Sequence, residues 1–191
     1  GMDQYQMLPR LEARGNYRLG DFVFNLQNQF TAFDHDDDND LLPGYLQGET
    51  FFEDEKGTFV TGDRLRLDYG LTWDKQWAWG YFRPSVTLKH LSYNLDNPVL
   101  GQTDDSPSVT VPVGVIDTGL FMERDTTMLT GFTQTFEPRL YMVHTKYEDQ
   151  SDLPDFDTSQ MTFTYNQLFR EDRFIGGDRI GDTEQVSLGL T

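Results

Sequence analysis

The chain reads as all-β, an antiparallel up-and-down meander of the membrane-barrel kind. Two observations predict it. Apolar and polar residues alternate within segments, and short connections alternate with long ones between segments. In Arg64-Leu65-Arg66-Leu67-Asp68-Tyr69-Gly70-Leu71-Thr72-Trp73, the residues Leu65, Leu67, Tyr69, Leu71 and Trp73 share one face, and Arg64, Arg66, Asp68 and Thr72 share the other. Successive side chains of a strand point to opposite sides, so this segment belongs to a sheet with one oily and one wet face. Short turns at one rim and long loops at the other complete the pattern of an up-and-down barrel.

Seven strands follow in order. The first covers about Tyr5–Arg14, with Tyr5, Met7, Pro9, Leu11 and Ala13 on one face. The second covers about Asp21–Phe33, where Phe22, Phe24, Leu26, Phe30 and Ala32 alternate with Asn25, Gln27, Gln29 and Thr31. Arg64–Trp73 is the third. In the fourth, about Trp79–Tyr93, Phe82, Val86 and Leu88 stand against Arg83, Ser85, Thr87 and Lys89. The fifth covers about Val109–Glu123 and is less clearly two-faced over Val109–Val115. The sixth covers about Phe132–Lys146, and the last starts near Gln185. Arg14–Gly20, Asp74–Ala78 and Arg124–Gly131 then read as short connections, and 34–62, 94–108 and 147–184 as long loops.

Pro9, Pro84, Pro112 and Pro138 fall inside predicted strands, all on the apolar register. Proline cannot donate to a ladder, so each predicts a bulge, a bend or a locally weak pair. Trp73, Trp77 and Trp79 cluster at one turn, while Phe33, Tyr93 and Tyr147 stand where strands enter long loops. Both groups read as interfacial girdles, since these rings favour the headgroup level. The alternative is aromatic packing in a soluble core.

Composition narrows the class. The 191 residues carry a net charge of −17 and no cysteine, which excludes a disulfide framework and Cys-ligated metal. Acidity of this size argues against nucleic acid as a partner. No apolar run is long enough for a membrane helix, but a membrane strand needs only about 9–11 residues, half of them apolar. Most of the 32 acidic residues lie in the three long loops, giving one acidic rim that either stays hydrated or gathers divalent cations. Asp34-His35-Asp36-Asp37-Asp38-Asn39-Asp40 invites calcium, yet it lacks the glycine and glutamate that an EF-hand loop requires, so no metal site is assigned. His35, His90 and His144 are scattered, and no Gly-x-Ser-x-Gly string occurs. The chain reads as a non-enzyme without a cofactor.

Long strings in the last third are more specific. Gly131-Phe132-Thr133-Gln134-Thr135-Phe136-Glu137-Pro138-Arg139-Leu140-Tyr141 is followed by Gln167-Leu168-Phe169-Arg170-Glu171-Asp172-Arg173-Phe174. Gly176-Gly177-Asp178-Arg179-Ile180-Gly181-Asp182 comes next. With Tyr5-Gln6-Met7-Leu8-Pro9-Arg10-Leu11 and Phe121-Met122-Glu123-Arg124-Asp125, these strings closely resemble the C-terminal barrel region of the outer-membrane LPS-assembly family LptD, also called organic solvent tolerance proteins. The resemblance runs over nearly the whole chain and is weakest over 34–62.

The resemblance implies an arc of a large transmembrane barrel in a Gram-negative outer membrane. The family's barrel holds a lipoprotein plug, LptE, and delivers lipopolysaccharide to the outer leaflet through a lateral opening, without making or breaking a bond. On this reading residues 3–191 are one partial LptD-like barrel domain, and Gly1-Met2 is a non-native addition. The piece lacks the family's periplasmic domain, gate strands and disulfide cysteines, and is not expected to transport alone. Arg64, Arg66, Asp68, Arg83, Lys89, Asp117, Glu137 and Arg139 fall on the polar register and are expected to face the lumen. There they either contact a phosphorylated glycolipid, for which Arg offers a bidentate fork, or form cross-strand ion pairs. Glu137 and Arg139 share a face and pair with each other or with neighbouring strands. The loop 147–184 is too long to be structureless. Leu168, Phe169, Phe174 and Ile180 are expected to fold it over the barrel mouth, with Gln160–Arg170 either a short helix capped by Asp157, Thr158 or Ser159, or a strand. Gly176-Gly177 reads as a tight turn followed by a charged pair, Asp178-Arg179. The alternatives are a porin-like passive channel and a soluble β-sandwich binding module.

Overall fold

The computed structural model describes residues 6–34, 61–96, 104–125, 133–160, 168–171 and 174–191. Alternation becomes one twisted antiparallel sheet. Its main strands are β1 (Gln6–Leu19), β2 (Phe22–Asp34), β3 (Gly62–Trp73), β5 (Gly80–Leu95), β6 (Ser108–Leu120), β9 (Pro138–Thr145) and β12 (Glu184–Leu190), side by side in that order. The short β4 (Lys75–Trp77) pairs with the start of β5. Two ribbons stand apart: β7 (Met122–Asp125) with β8 (Thr133–Phe136), and β10 (Ser159–Gln160) with β11 (Phe174–Ile175). Each main strand pairs with the next main strand along the chain, a meander, with β1 and β12 at the edges.

Strand boundaries differ from expectation at three places. β1 runs to Leu19 because Gly15-Asn16-Tyr17-Arg18, which read as a turn, pairs residue by residue with Leu26 to Val23. The connection to β2 is then only Gly20-Asp21, with Gly20 at φ +61°, a backbone state that glycine adopts without steric cost. β6 stops at Leu120, and Met122–Asp125 turns into the separate β7–β8 ribbon. The sixth expected strand is broken at Glu137, between β8 and β9.

The four prolines sit where pairing is interrupted. Pro9 lies in a one-residue register shift between Met7 and Arg10. Pro84 pairs with Ile116 on one side. On its other side the β3 ladder has ended at Ser85, and the β4 ladder begins only at Phe82. Pro112 and Pro138 stand one residue beyond the last β6–β9 pairs, Val113–Thr145 and Gly119–Arg139. Each ring therefore stands where a ladder shifts or where one neighbouring strand is missing, so the lost N–H leaves no gap in a continuous ladder.

One face of the sheet is bare. Phe24, Leu65, Tyr69, Val86, Leu88, Ile116, Met142, Val186 and Leu188 stand on it exposed. Among the described residues no second sheet packs against it, so a β-sandwich is not formed. The other face is covered in part by the chain's own later loop, through residues 150–160, 168–171 and 176–183. At the long-loop end of this covered face the strands turn apolar, with Leu91, Tyr93, Leu95, Val109, Val111, Val113, Tyr141 and Val143 buried. Leu153 and Ile180 pack onto the cluster built on Leu91, Tyr93 and Val111, joined by Phe156. A second cluster of Val113, Tyr141 and Val143 takes Phe169. Burying a side chain of this size contributes about 1.5–3 kcal/mol.

This burial corrects the reading of two aromatics. Phe33 and Tyr93 are not girdle residues: both are buried on the covered face. Phe33 stacks on Phe156 with centroids 4.4 Å apart. Counting two at a time from Gln29 and Thr31 puts Phe33 on their side of the strand, with its ring beneath the loop. Tyr147 is exposed. Around the opposite turn, Trp77 and Trp79 stack at 5.0 Å, and Trp73 meets Phe82 edge-on at 6.1 Å.

The two faces predict opposite responses to charge at one level. In the full-length protein in lipid vesicles, Leu88→Arg on the bare face should cost about 2–4 kcal/mol in urea unfolding. Thr87→Arg, one residue away on the covered face, should cost much less.

Candidate functional site

The covered face carries the charges. Residues 150–160 and 174–183 form two limbs of a hairpin that lies back on the sheet. Thr145 N donates to Thr183 O (2.8 Å), extending the β9–β12 ladder. Above it the Gln150 side chain imitates a strand, donating to Ile180 O (2.8 Å) and accepting from Ile180 N (2.9 Å). Arg179 does not pair with the Asp178 side chain as the sequence predicted. Its guanidinium reaches the carbonyls of Leu153 (2.9 Å), Pro154 (2.9 Å) and Asp178 (3.1 Å), and so fastens the two limbs.

Arg64 of β3 is the centre of this arrangement. Its guanidinium is 1% exposed. Nη1 and Nη2 donate to the two oxygens of Asp157 (2.6 and 2.9 Å), and Nη1 also donates to Asp178 Oδ1 (2.6 Å). Asp157 and Asp178 come from opposite limbs, so one cation joins both. Asp178 is fully buried, and it also accepts from Tyr93 OH, Phe156 N and Asp157 N, each at 2.7 Å. The guanidinium lies 4.8 Å from the Phe33 ring centroid.

Backbone geometry allows the approach. Gly176 has φ +96°, and a Cβ there would stand 2.1 Å from Asp157 O; a Cβ on Gly177 would stand 2.3 Å from Arg64 Cζ. The glycine pair is therefore required by the guanidinium and the facing limb as well as by a turn.

Burial works against a charge on Asp157, but the Arg64 fork outweighs it and holds this carboxyl down at about 2. Burial pushes Asp178 up to about 6. The pull of Arg64 opposes that push, and the neighbouring charge of Asp157 adds to it. Both carboxylates are charged at neutral pH.

The remaining expected site residues share this face in two further groups. Lys89, buried, meets Glu171 at 3.2 Å. Arg66 Nε donates to Asp68 Oδ2 (3.1 Å) and its Nη1 to Gly176 O (3.4 Å). Nearer the turns, Arg139 forks onto Asp117 (2.8 and 2.9 Å), which also accepts from Tyr81 OH (3.0 Å). Arg83 donates to Asp74 Oδ1 (2.6 Å) across the Tyr81 ring. Glu137 stands apart from Arg139: it is exposed in the break between β8 and β9, and among the described residues only its backbone pairs, with Thr191. Phe169, as expected, and Phe156 and Leu153, which the sequence reading passed over, bring the loop onto the sheet. The central part of the expected Gln160–Arg170 element, residues 161–167, lies outside the described residues, as do the acidic string 35–40 and the side chain of Phe174.

Between these groups lies a cleft of about 560 Å³, lined by neutral hydrogen-bonding side chains: Asn16, Asn25, Gln27, Thr72, Ser85 and Thr87. Asp68, Glu171 and Arg14, the last paired with Glu12, also line it. Each of the expected cations Arg64, Arg66, Arg83, Lys89 and Arg139 is paired with a carboxylate of the same chain. What the face offers across this cleft is mainly amides and hydroxyls, with the charged Arg14, Asp68 and Glu171 beside them.

A meander with a bare apolar face, and a polar face under its own long loop, is an arc of a β-barrel wall. The family model described as LptD, LPS transport system D, matches residues 1–191, and the chain belongs to that family. It is 39% identical over 188 residues to the LPS-assembly protein LptD of Hahella chejuensis, covering 98% of this chain and 22% of that protein. The protein of the same name from Alcanivorax borkumensis is 41% identical over 189 residues, covering 98% and 23%. That from Pseudomonas aeruginosa strain LESB58 is 36% identical over 211, covering 98% and 22%. The chain spans less than a quarter of the length of these relatives.

The clamp predicts the response of the loop to substitution and to pH. Arg64→Met leaves Asp178 buried beside Asp157 without its cation, so the loop should undock at a cost of about 3–5 kcal/mol, read as lost hydrogen-exchange protection at Phe156 and Asp157. Gly177→Ala should undock it too. The pH response has two signs. Asp157 sits below its unfolded value of about 3.9, so its contribution is present above that value and is lost as pH falls through about 2. Asp178 sits above its unfolded value, so its ionisation weakens the fold as pH rises from about 4 through about 6. Protection corrected for intrinsic exchange should therefore be several-fold higher at pH 5 than at pH 8.

Proposed function

We propose that this chain is one arc of an outer-membrane barrel that assembles lipopolysaccharide into the outer leaflet. The observation that carries the reading is the family match over the whole chain, set on a sheet with a lipid-suited bare face and a polar covered face. The bare face then meets acyl chains, with Trp73, Trp77 and Trp79 at one headgroup level. The covered face lines the lumen, and the residues named above, from Arg64 to Arg139, are its polar lining. Amides and hydroxyls of the central cleft suit the hydroxyl-rich saccharide of the glycolipid. Arg64, Arg66, Arg83, Lys89 and Arg139 are committed to carboxylates, so phosphate recognition falls to other cations of the barrel. No bond is made or broken, and no cofactor takes part. The edges at β1 and β12 receive neighbouring strands of the parent barrel, since an unpaired edge seeks a strand. An LptE-like lipoprotein plug is the protein partner.

Full-length protein extracted in detergent from a Gram-negative outer membrane should bring down a small lipoprotein. Joint replacement of Asn25 and Thr87 by Leu should slow surface delivery of lipopolysaccharide and raise permeability to large apolar antibiotics, at an unchanged level of folded barrel. Steady solute conductance in planar bilayers, with lipopolysaccharide delivery unaffected by the substitutions, would instead support a passive channel.

A further inference from the structure

The bare face carries a trough, and we propose that it seats one acyl chain of an outer-leaflet lipopolysaccharide, with the phosphorylated saccharide head of that lipid against His144 and Glu184. The site is on the outside of the barrel wall, away from the polar cleft. It rests on the functional reading, which puts this glycolipid in the leaflet at the long-loop end.

The trough lies between two neighbouring rows of the sheet. One row is Pro84, Ile116, Met142 and Val186, apolar throughout, with the last three exposed. The next row toward the long loops is Val86, Gly114, His144 and Glu184. The space between them is about 530 Å³. It opens widest at Gly114, where the missing side chain leaves a gap between Val86 and His144.

Among the described residues nothing in the chain requires that glycine. Each other described glycine within a strand faces an atom that a Cβ would meet at 3.2 Å or closer, such as a Tyr17 ring carbon for Gly15, Gly119 O for Gly80 and a Tyr81 ring carbon for Gly119. A Cβ on Gly114 would meet only His144 O, at 3.9 Å, an ordinary contact. Its φ is not positive either. A glycine inside a strand costs stability relative to a residue with a side chain. Where the chain itself gives no reason for one, it marks a place where a ligand comes close. On a face that meets lipid, that ligand is an acyl chain.

The polar edge of the bare face places the head. The outward apolar run ends at Leu65 on β3, Leu88 on β5, Met142 on β9 and Val186 on β12. The next outward residues are Asp63, His90, His144 and Glu184. His90 Nδ1 lies 2.8 Å from Thr110 Oγ1, and His144 Nδ1 lies 3.2 Å from Glu184 Oε1. Followed through the register, this edge steps down from β3 to β12, as it must when tilted strands cross a level membrane. It is the level of the headgroups. A chain lying in the trough therefore has its head at His144 and Glu184, which are 68% and 80% exposed at the side chain. Glu184 accepts from saccharide hydroxyls. Protonated His144 donates to a phosphate oxygen through its second ring nitrogen while the first stays on Glu184. A head carrying both hydroxyls and phosphate complements the pair.

Benzoylphenylalanine placed at Val186, on the trough, or at Leu65, at the same depth below the polar edge but away from it, reads the site in the full-length protein in its membrane. After illumination the lipopolysaccharide adduct should be several-fold more abundant at Val186. Gly114→Leu fills the trough without a backbone clash and should bring the yield at Val186 down to that at Leu65, with the unfolding transition unchanged. His144→Gln with Glu184→Gln should lower it as well. Equal yields at the two positions, a yield at Val186 indifferent to Gly114→Leu, or adducts there mainly with glycerophospholipid would overturn the proposal. The comparison of the two positions needs no change at Gly114, so it decides the matter even if that variant misfolds. Labelling at Leu65 separates this proposal from the functional reading. Lipopolysaccharide captured at Leu65 keeps that reading whatever Val186 shows, whereas none at either position would count against both.

Discussion

A guanidinium with almost no access to water has to be matched, and Arg64 is matched from outside its own sheet. Within the sheet its cross-strand neighbours are Thr31 and Tyr93, neither of which carries a countercharge. The carboxylates arrive 93 and 114 residues later in the chain, on two limbs of one loop. The position of the loop, the burial of Phe33 and Tyr93, the need for glycine at 176 and 177, and the apolar ends of β5 and β6 all depend on that match. Desolvating one cation and two carboxylates is expensive. The structure offsets it with three further donors on Asp178 and with an apolar cover that excludes competing water.

The same constraint explains the two characters of the covered face. Near the rim it is built like a soluble core, with Leu91, Val111 and Ile180 in contact and one charged cluster closed on itself, although Arg64 Nε is left without a partner among the described residues. Toward the turns it becomes a wet surface of amides, hydroxyls and cross-strand ion pairs such as Asp117–Arg139. The bare face runs the other way: it is apolar from the turns to Leu88, Ile116 and Met142, and becomes polar nearer the long-loop end, where Ser92, Ser108, the His90–Thr110 bond and the His144–Glu184 pair stand. A loop that folds inward replaces the apolar lining near the rim with its own backbone and charges, so the space inside the arc meets polar groups at both levels.

Much of the sheet was legible because its signal is local. Alternation in Arg64–Trp73 places that strand almost to the residue, and the prolines announce ladder interruptions that the registers bear out. Where the signal was composition and not alternation, the reading failed: Gly15-Asn16 looked like a turn but is paired strand. The clamp was illegible for a different reason. Nothing near Arg64 in sequence distinguishes it from Arg66, which is partly buried and pairs with Asp68 two residues on. Asp178 stands beside Arg179, so the nearest countercharge in sequence was the wrong one. Parity alone would have moved Phe33 to the polar face, and that misplaced ring was the available hint that the face acquires a cover.

The central claim is that Arg64 and the two loop carboxylates act as one unit in the full-length protein. A double-mutant cycle on Arg64→Met and Asp178→Asn, read by unfolding in vesicles, tests it most directly. The account predicts strong non-additivity, with the two changes together costing at least about 2 kcal/mol less than the sum of the single effects. Additivity within about 0.5 kcal/mol would mean that the two side chains do not meet, and would contradict the inward placement of the loop.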